Sequence, residues 1–522
     1  MRLASRFVVV VGVVFGLDTV FDTALNTASA QTDRPTAECN SRCVGLKTDF
    51  RFAVKTSNEI YCYFAEKIAE TRRNYDHFGK ELENSITSST TPADYFLLLR
   101  RWAGSFNDGH VNVLPSEDGP DVSLPSSDIR FEVLAAGTAN EKVIISAAPL
   151  IDPGILGAEV LTFEGKSIRA ALDVSEPLGN GSTKRMRRQS AARRLIETTI
   201  PVVDVTRGAL IRIRLKSGAE RDIELPLRLG VISPAPAPVP PGKMAVQSSI
   251  LPGNIGYLRI DQFSGIDSVG DLNRAMDAIE GTAGLLIDVR KNGGGDQSGD
   301  SVIARLIKSP VTRYEISPRL SRMVLDARPQ YGILRKIPGT DFAEWGALKV
   351  NPTVLGKGWA GKPVVVLTGN SCFSACDTFT SALQANNLAE IVGEGTGGGT
   401  GTPHIFTLPV SRHDFRYSVV RGRTFKGTAI EGIGTLPTLS IPVTLAERQA
   451  NEDRQLKKAL ERLASQMRGR GGRGAIGTVT REDATMADLG MRQVDARKDP
   501  GSGRSSGLTE SLEEALLLRT QR

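Results

Sequence analysis

The chain has 522 residues, 65 of them Lys or Arg against 58 Asp or Glu, and a formal net charge of +7. That length exceeds one ordinary hydrophobic core and sets an expectation of two or three domains. Near-average aliphatic, glycine and charged contents exclude a coiled coil, a collagen-like chain or disorder over most of the length. The basic excess is scattered and lacks the interleaved aromatics of a nucleic-acid stacking platform, so it is read as a solubility property.

At the N-terminus, Arg2 and Arg6 precede an apolar run from Phe7 to Leu17, and Ala28-Ser29-Ala30 follows with the small residues a signal peptidase reads. The expectation is a cleaved export signal over 1–30 and a periplasmic or secreted mature chain. An uncleaved anchor is the competing reading, but the run is about half of the roughly 20 residues that span a bilayer. Export makes disulfides the expected fate of cysteine. Cys39, Cys43 and Cys62 cluster near the mature end, where one pair can bridge, although spacing does not say which. A zinc site there would lack a histidine at ligand spacing.

Residues 31–124 are expected to form a helical region. Phe52, Tyr61, Phe64 and Ala65 recur at near-helical spacing. Thr91 can cap a further helix, with Pro92 at its first position and Asp94 at its positive end. That helix ends near Gly104 and delivers the chain to Asn107-Asp108-Gly109-His110. From 125 to 230 the pattern changes to short β-rich runs at 143–146, 158–163, 210–215 and 222–225, the last two joined by a hairpin at Lys216-Ser217-Gly218. The run Leu156-Gly157-Ala158-Glu159-Val160-Leu161, followed by Glu164-Gly165-Lys166-Ser167-Ile168, resembles the strand-turn signature of a PDZ-like domain, with the basic stretch 184–194 as an insertion. Such domains hold a peptide terminus at a sheet edge. A small β-domain without a ligand is the alternative.

Ser233 to Pro241, rich in proline and alanine, is expected to be a semi-rigid linker within 231–248. Over 249–465, buried strands at 255–260, 285–289, 364–367 and 390–393 alternate with helical segments after Asp267, Gln297 and Ser374, which is an α/β pattern. Thr444 and Glu447 form a capping box that opens a charged helix to about Ala464. Residues 466–522, with their Arg-Gly run and sparse apolar content, are expected to be a disordered tail.

Two segments of the α/β region carry the chemistry. Asn370-Ser371-Cys372-Phe373-Ser374-Ala375-Cys376-Asp377 lies between a strand and a helix, which exposes Ser374 near a helix N-terminus. There the amide of Ala375 can donate to an oxyanion. The glycines of Asp288-Val289-Arg290-Lys291-Asn292-Gly293-Gly294-Gly295 allow close backbone approach, which suits a second oxyanion donor at Gly293 or Gly294. A dinucleotide loop requires a different spacing and a later acidic partner.

Those two segments, then Ile391-Val392-Gly393-Glu394-Gly395-Thr396, then Glu431-Gly432-Ile433-Gly434-Thr435-Leu436-Pro437, occur in the order seen in serine peptidases of the C-terminal-processing and tricorn-core type. The chain resembles that family over about 250–445 and, more loosely, at the His110 loop. The resemblance implies a ClpP/crotonase-like spiral core of α/β class, beside the N-terminal helical region and the PDZ-like domain. It implies proteolysis through an acyl-enzyme on Ser374, with a protein or peptide substrate presented through its C-terminus and with no metal, organic cofactor, nucleic acid or membrane span after signal removal.

C-terminal-processing members place a general-base lysine shortly after the Gly-Glu-x-Thr segment, and 395–400 contains none. A Ser-Lys dyad is therefore not expected. The tricorn-like branch uses a histidine from the helical front end, and Asp108-Gly109-His110 is similar to that element, so His110 is the expected base. Of the other histidines, His404 is the alternative base, His77 belongs to a charged helical surface and His413 to a polar turn. Glu431 is the expected third member, which in tricorn-like sites orders the histidine through a hydroxyl; the serine that supplies it is replaced here by Gly109, and Asp108 could serve instead. The register puts Ser374, not Cys372 or Cys376, at the reactive position, with a disulfide between the two cysteines pinning the loop. Two rivals are an inactive peptide- or lipid-binding relative and a crotonase-like enzyme acting on acyl thioesters, which would need coenzyme A.

Overall fold

The computed structural model describes residues 39–470 apart from 117, 149–151, 233–244, 266 and 354–357. The expected export signal, most of the proline-rich linker and everything from 471 onward lie outside the described residues.

Four helices open the fold: Ser41–Ile60, Phe64–Thr71, Tyr75–Asn84 and Pro92–Gly104. Asn40 caps the first by accepting the amide of Cys43, and a Cys39–Cys43 disulfide staples the same turn; Cys62 is a buried free thiol. Thr91 and Asp94 form a reciprocal capping box on the fourth, with Pro92 at its first turn, as expected. The helices pack on an aromatic cluster in which Tyr75 stacks on Phe106 at 4.9 Å and Phe50 meets Trp102 edge-on at 5.9 Å. Helices this short bury too little apolar surface to close a core alone. The expected separate front end accordingly shares one core with Tyr314, Ile316, Phe415 and Tyr417 from the C-terminal half. Trp102 Nε1 donates to the Tyr417 hydroxyl at 2.9 Å.

An antiparallel sheet follows, with strands in the spatial order Arg130–Leu134, Lys142–Ala147, Glu159–Phe163, Ala209–Arg214 and Glu220–Leu225. The basic 184–194 stretch, expected as an insertion, is instead the first part of a helix, Lys184–Thr199, that belongs to this unit. Ala191, Ala192, Leu195 and Ile196 join the sheet's core, while Arg188 is buried against Glu141, Asp173 and Glu176. Charge dominated the sequence pattern and hid that apolar stripe.

The largest part is a six-stranded sheet in the order Val246–Leu251, Ile255–Ile260, Gly284–Asp288, Val364–Thr368, Glu390–Gly393 and Leu439–Ser440. Its first pair is antiparallel and the rest are parallel. The central strands are buried on both faces, which explains their unbroken apolar runs. Helices Ser268–Asp277, Gly299–Ala304 and Ala375–Ala385 contribute to the core on one face, and Arg454–Arg470 to that on the other. The first strand starts before 249, so the sheet reaches into the stretch expected as linker. The expected single helix after Thr444 is two, Leu445–Ala450 and Arg454–Arg470, broken where Asn451 takes a left-handed conformation (φ 57°). Val311–Pro318, Gly346–Val350 and Val420–Arg423 form a small sheet, and Asn112–Leu114, Asp414–Ser418 and Pro403–Thr407 another. Loops at the carboxyl ends of the parallel strands (289–295, 369–374 and 394–400) carry the candidate site, the usual place for one in such sheets. Among the described residues no helix is long and apolar enough to cross a membrane.

Candidate active site

Ser374 stands between the strand Val364–Thr368 and the helix Ala375–Ala385, with φ 60° and ψ −117°. A side chain held at such a φ costs about 1–3 kcal/mol and persists only when its surroundings over-determine it. Here they do. Asp377 Oδ2 accepts the Ser374 amide at 3.0 Å, Thr378 N donates to the Ser374 carbonyl at 3.1 Å, and Phe373 N donates to the Asn292 carbonyl at 3.1 Å. The Cys372–Cys376 disulfide brackets the turn, as the sequence led us to expect.

The Ser374 hydroxyl meets His110, whose Nε2 lies 3.0 Å from Oγ. The histidine loop is fixed from several sides. Asp108 Oδ1 accepts the His110 amide at 2.7 Å, and Oδ2 accepts the hydroxyls of Tyr61 and Ser418, each at 3.0 Å. Gly109 N donates to Ser182 Oγ (3.0 Å), Asn180 Nδ2 to the Gly109 carbonyl (2.9 Å) and Arg416 Nε to the His110 carbonyl (2.9 Å). Asp108 thus spends its oxygens on the loop and stands 3.9 Å from His110 Nδ1, too far for a hydrogen bond. The imidazole is 4% exposed, and burial pushes its pKa down to about 4 against the opposing pull of Asp108. It is therefore neutral at pH 7, with a lone pair available to Oγ. Its ring lies 4.6 Å from that of Phe373. A Cβ at Gly109 would fall 2.4 Å from Phe373 Cζ, so the position that carries serine in tricorn-like sites has no room for a side chain here.

Glu431 comes close to His110 without touching it: acceptor atoms of Asp108, His110 and Glu431 lie within 4.8 Å of one another. One Glu431 oxygen accepts the Thr400 amide at 2.9 Å and the other stands 3.4 Å from Lys67 Nζ. Burial, and then Asp108, push the Glu431 pKa up while Lys67 pulls it down. Three such donors can also hold a metal, but the Asp108 oxygens are spent and the Lys67 ammonium already faces Glu431. Sequence reasoning missed Lys67. It is 2% exposed and also donates to Glu70 Oε2 and the Asn107 carbonyl, at 3.0 and 2.9 Å. Nothing in its sequence neighbourhood sets it apart from the other 64 basic residues.

The glycine loops close around Ser374. A Cβ at Gly294 (φ 102°) would fall 2.8 Å from Ser374 Cβ, which explains the glycine. Its amide, however, donates to Asn292 Oδ1 at 2.8 Å and is already engaged. Of Gly293 and Gly294, the two positions expected to offer a second oxyanion donor, this leaves Gly293, which is exposed. The Ala375 amide is at the first position of its helix, where no intrahelical acceptor exists. Asp377, to which the sequence reading gave no role, accepts the Gly398 and Gly399 amides, each at 2.9 Å, and the Thr396 hydroxyl, besides Ser374 N. Burial raises it to about 7 against those donors. His404, the alternative base, lies on the strand Pro403–Thr407 opposite Tyr417. His77 is exposed beside Glu81, as expected, whereas His413 is not in a solvated turn but buried edge-on against Phe96.

Residues 254–441 match the model of peptidase family S41. Those residues form a serine-peptidase segment of the S41 type. Its fold is similar to that of mature CPAF complexed with lactacystin, with 16% identity and a TM-score of 0.67 over 82% of this chain and 99% of that one. A crystal structure of mature CPAF gives 16% identity and a TM-score of 0.66 over the same shares. At this identity the likeness speaks for the fold alone, and it extends well beyond the segment matched by the family.

A cleft of about 460 Å³ opens beside Ser374, within the size range of sites for small molecules and side chains. Ala375, Gly295, Gln297, Thr378 and Thr400 line it together with Ser374. The match to a peptidase family implies protein or peptide substrates.

Proposed function

We propose that Ser374 is the nucleophile and His110 the general base of this peptidase, acting without a metal or organic cofactor. The 3.0 Å contact between Ser374 Oγ and a neutral, buried imidazole carries the reading. His110 Nε2 takes the hydroxyl proton as Oγ attacks the scissile carbonyl carbon, and the C=O electron pair moves to oxygen. The amides of Gly293 and Ala375 receive that oxyanion. His110 returns the proton to the leaving amine, and water, activated by the same imidazole, releases the acyl group. Glu431 stands near enough to favour the imidazolium that forms between these steps, while Lys67 offsets its charge at rest.

We read the parallel core, within 249–465, as a ClpP/crotonase-like spiral, and the 125–230 sheet with its two helices as a PDZ-like domain that presents a substrate's chain end. In support of the second assignment, Asn180 and Ser182 of that unit hold Gly109, next to the base. The helical region 31–124 supplies His110. Export to the periplasm or beyond is supported by the two disulfides, which persist in oxidising compartments.

A fluorophosphonate probe tests the assignment. Wild-type protein should carry the adduct on Ser374 and Ser374→Ala none. A well-folded wild type that takes up no probe would favour an inactive peptide- or lipid-binding relative.

A further inference from the structure

We infer that the Cys372–Cys376 bridge is a redox latch: oxidation of the two thiols installs the active conformation of Ser374, and the reduced chain is folded but idle. The inference goes beyond the proposed role of Ser374 and rests on it. The two cysteines stand 4 positions apart with the nucleophile midway between them. Each also anchors a different side of the turn. The Cys372 amide donates to the Gly369 carbonyl at 3.0 Å, and its own carbonyl accepts the Gly397 amide at 2.7 Å, which joins the strand exit to the 394–400 loop. The Cys376 amide donates to the Phe373 carbonyl at 3.1 Å, and Cys376 follows Ala375, the oxyanion donor, in the first turn of its helix. Ser374 between them has φ 60°, a conformation that a side chain other than glycine leaves once it is released. The carboxylate that holds its amide, Asp377, loses part of its charge near neutral pH because burial raises it to about 7. The bridge restrains the same turn independently of that proton.

Latching is a thiol–disulfide exchange with a disulfide oxidant, such as oxidised glutathione or an oxidised protein dithiol. One cysteine thiolate attacks an oxidant sulfur and breaks its S–S bond; the other attacks the resulting mixed disulfide and closes the bridge. In all, two thiols give up two protons and two electrons, and the oxidant leaves as two thiols. Cys372 and Cys376 are both 0% exposed, so the finished bridge is shielded from reductant, whereas the reduced turn opens to admit the oxidant. The latch is set once, in an oxidising compartment, and a chain still in a reducing one stays inactive. The Cys39–Cys43 bridge, at the start of the first helix, provides an internal control.

The full chain tests this when it is unfolded with dithiothreitol and refolded with either reduced or oxidised glutathione. Alkylation maps the free thiols, and near-ultraviolet circular dichroism follows the fold. Reduced protein with native dichroism should show kcat/KM and fluorophosphonate labelling about 10–100-fold below the oxidised protein, and should recover both on addition of oxidised glutathione. Cys372→Ala with Cys376→Ala should match the reduced state and ignore the oxidant, whereas Cys39→Ser with Cys43→Ser should keep the full redox response. Folded reduced protein, with both thiols free, that is as active and as readily labelled as the oxidised form would overturn the inference alone. Full activity of the folded alanine pair would do the same, and decides the matter if the reduced chain fails to refold. Oxidised protein that neither turns over substrate nor labels would overturn the assignment of Ser374, and the inference with it.

Discussion

Ser374 Oγ lies 3.0 Å from His110 Nε2, although 264 positions of chain separate the two residues. Neither partner relies on the other for its place. Asp377 and the Cys372–Cys376 bridge fix the serine turn, and Asp108, Ser182 and Asn180 fix the histidine loop. Two independently anchored loops make the contact pre-organised, so the reaction need not wait for a large closure.

That environment sets an unusual pH profile. His110, lowered to about 4, stays neutral at pH 5.5, where an ordinary imidazole is mostly protonated. Asp377, raised to about 7, takes up its proton first and loses the charge that holds Ser374 N and the 396–399 loop. We expect kcat/KM to fall partially as pH drops through about 7 and to vanish only near pH 4. Asp377→Asn should be slower throughout and lack the upper step. A single acid limb at 6.5 in wild type would contradict both assignments.

The same burial has a stability consequence. The unfolded chain protonates His110 at about 6.5 and the folded chain only near 4, so folding loses up to about 3 kcal/mol as pH falls across that window. Asp377 works in the opposite sense, its stabilising proton being lost as pH rises through about 7. Comparing wild type with His110→Gln isolates the histidine. Urea midpoints at pH 7 and 4.5 should differ less in the variant than in wild type; equal differences would rule the effect out.

Restoring the serine of tricorn-like sites should fail. In Gly109→Ser the new Cβ meets the Phe373 ring, which in turn packs on His110. We expect a loss of about 1–3 kcal/mol in stability from overpacking and a larger loss of activity from the displaced imidazole. Higher activity in the variant would show that a hydroxyl relay had been wanting.

Lys67 and Glu431 form a buried pair, and removing one partner leaves the other uncompensated. Lys67→Met should cost about 3–5 kcal/mol, and Lys67→Met with Glu431→Gln clearly less than the sum of the single changes. Denaturant melts of the three variants measure this coupling. Strict additivity would mean that the two groups do not interact.

The sequence made the parallel strands legible because burial on both faces leaves unbroken apolar runs such as 284–288 and 364–368. It also exposed Ser374 and His110, since a serine at a strand–helix junction and one of only four histidines are few enough to weigh singly. Pairings across the fold left no local trace. The shared core of Trp102 with Tyr417, and the contact of Lys67 with Glu431, depend on segments hundreds of residues apart. The Lys184–Thr199 helix was obscured because half of its stripe is alanine amid arginines. Gly294 was misjudged for a subtler reason: the acceptor that claims its amide is the side chain of Asn292, two residues before it.

Hydrolysis of an unfolded protein substrate, with cleavage sites mapped, puts the Ser374–His110 pairing to its most direct trial. Wild type should cut at defined sites, Ser374→Ala not at all, and His110→Ala on the order of 10²–10⁴-fold more slowly at those same sites. Undiminished turnover by folded His110→Ala would take the histidine out of the mechanism and leave the 3.0 Å contact without a catalytic meaning.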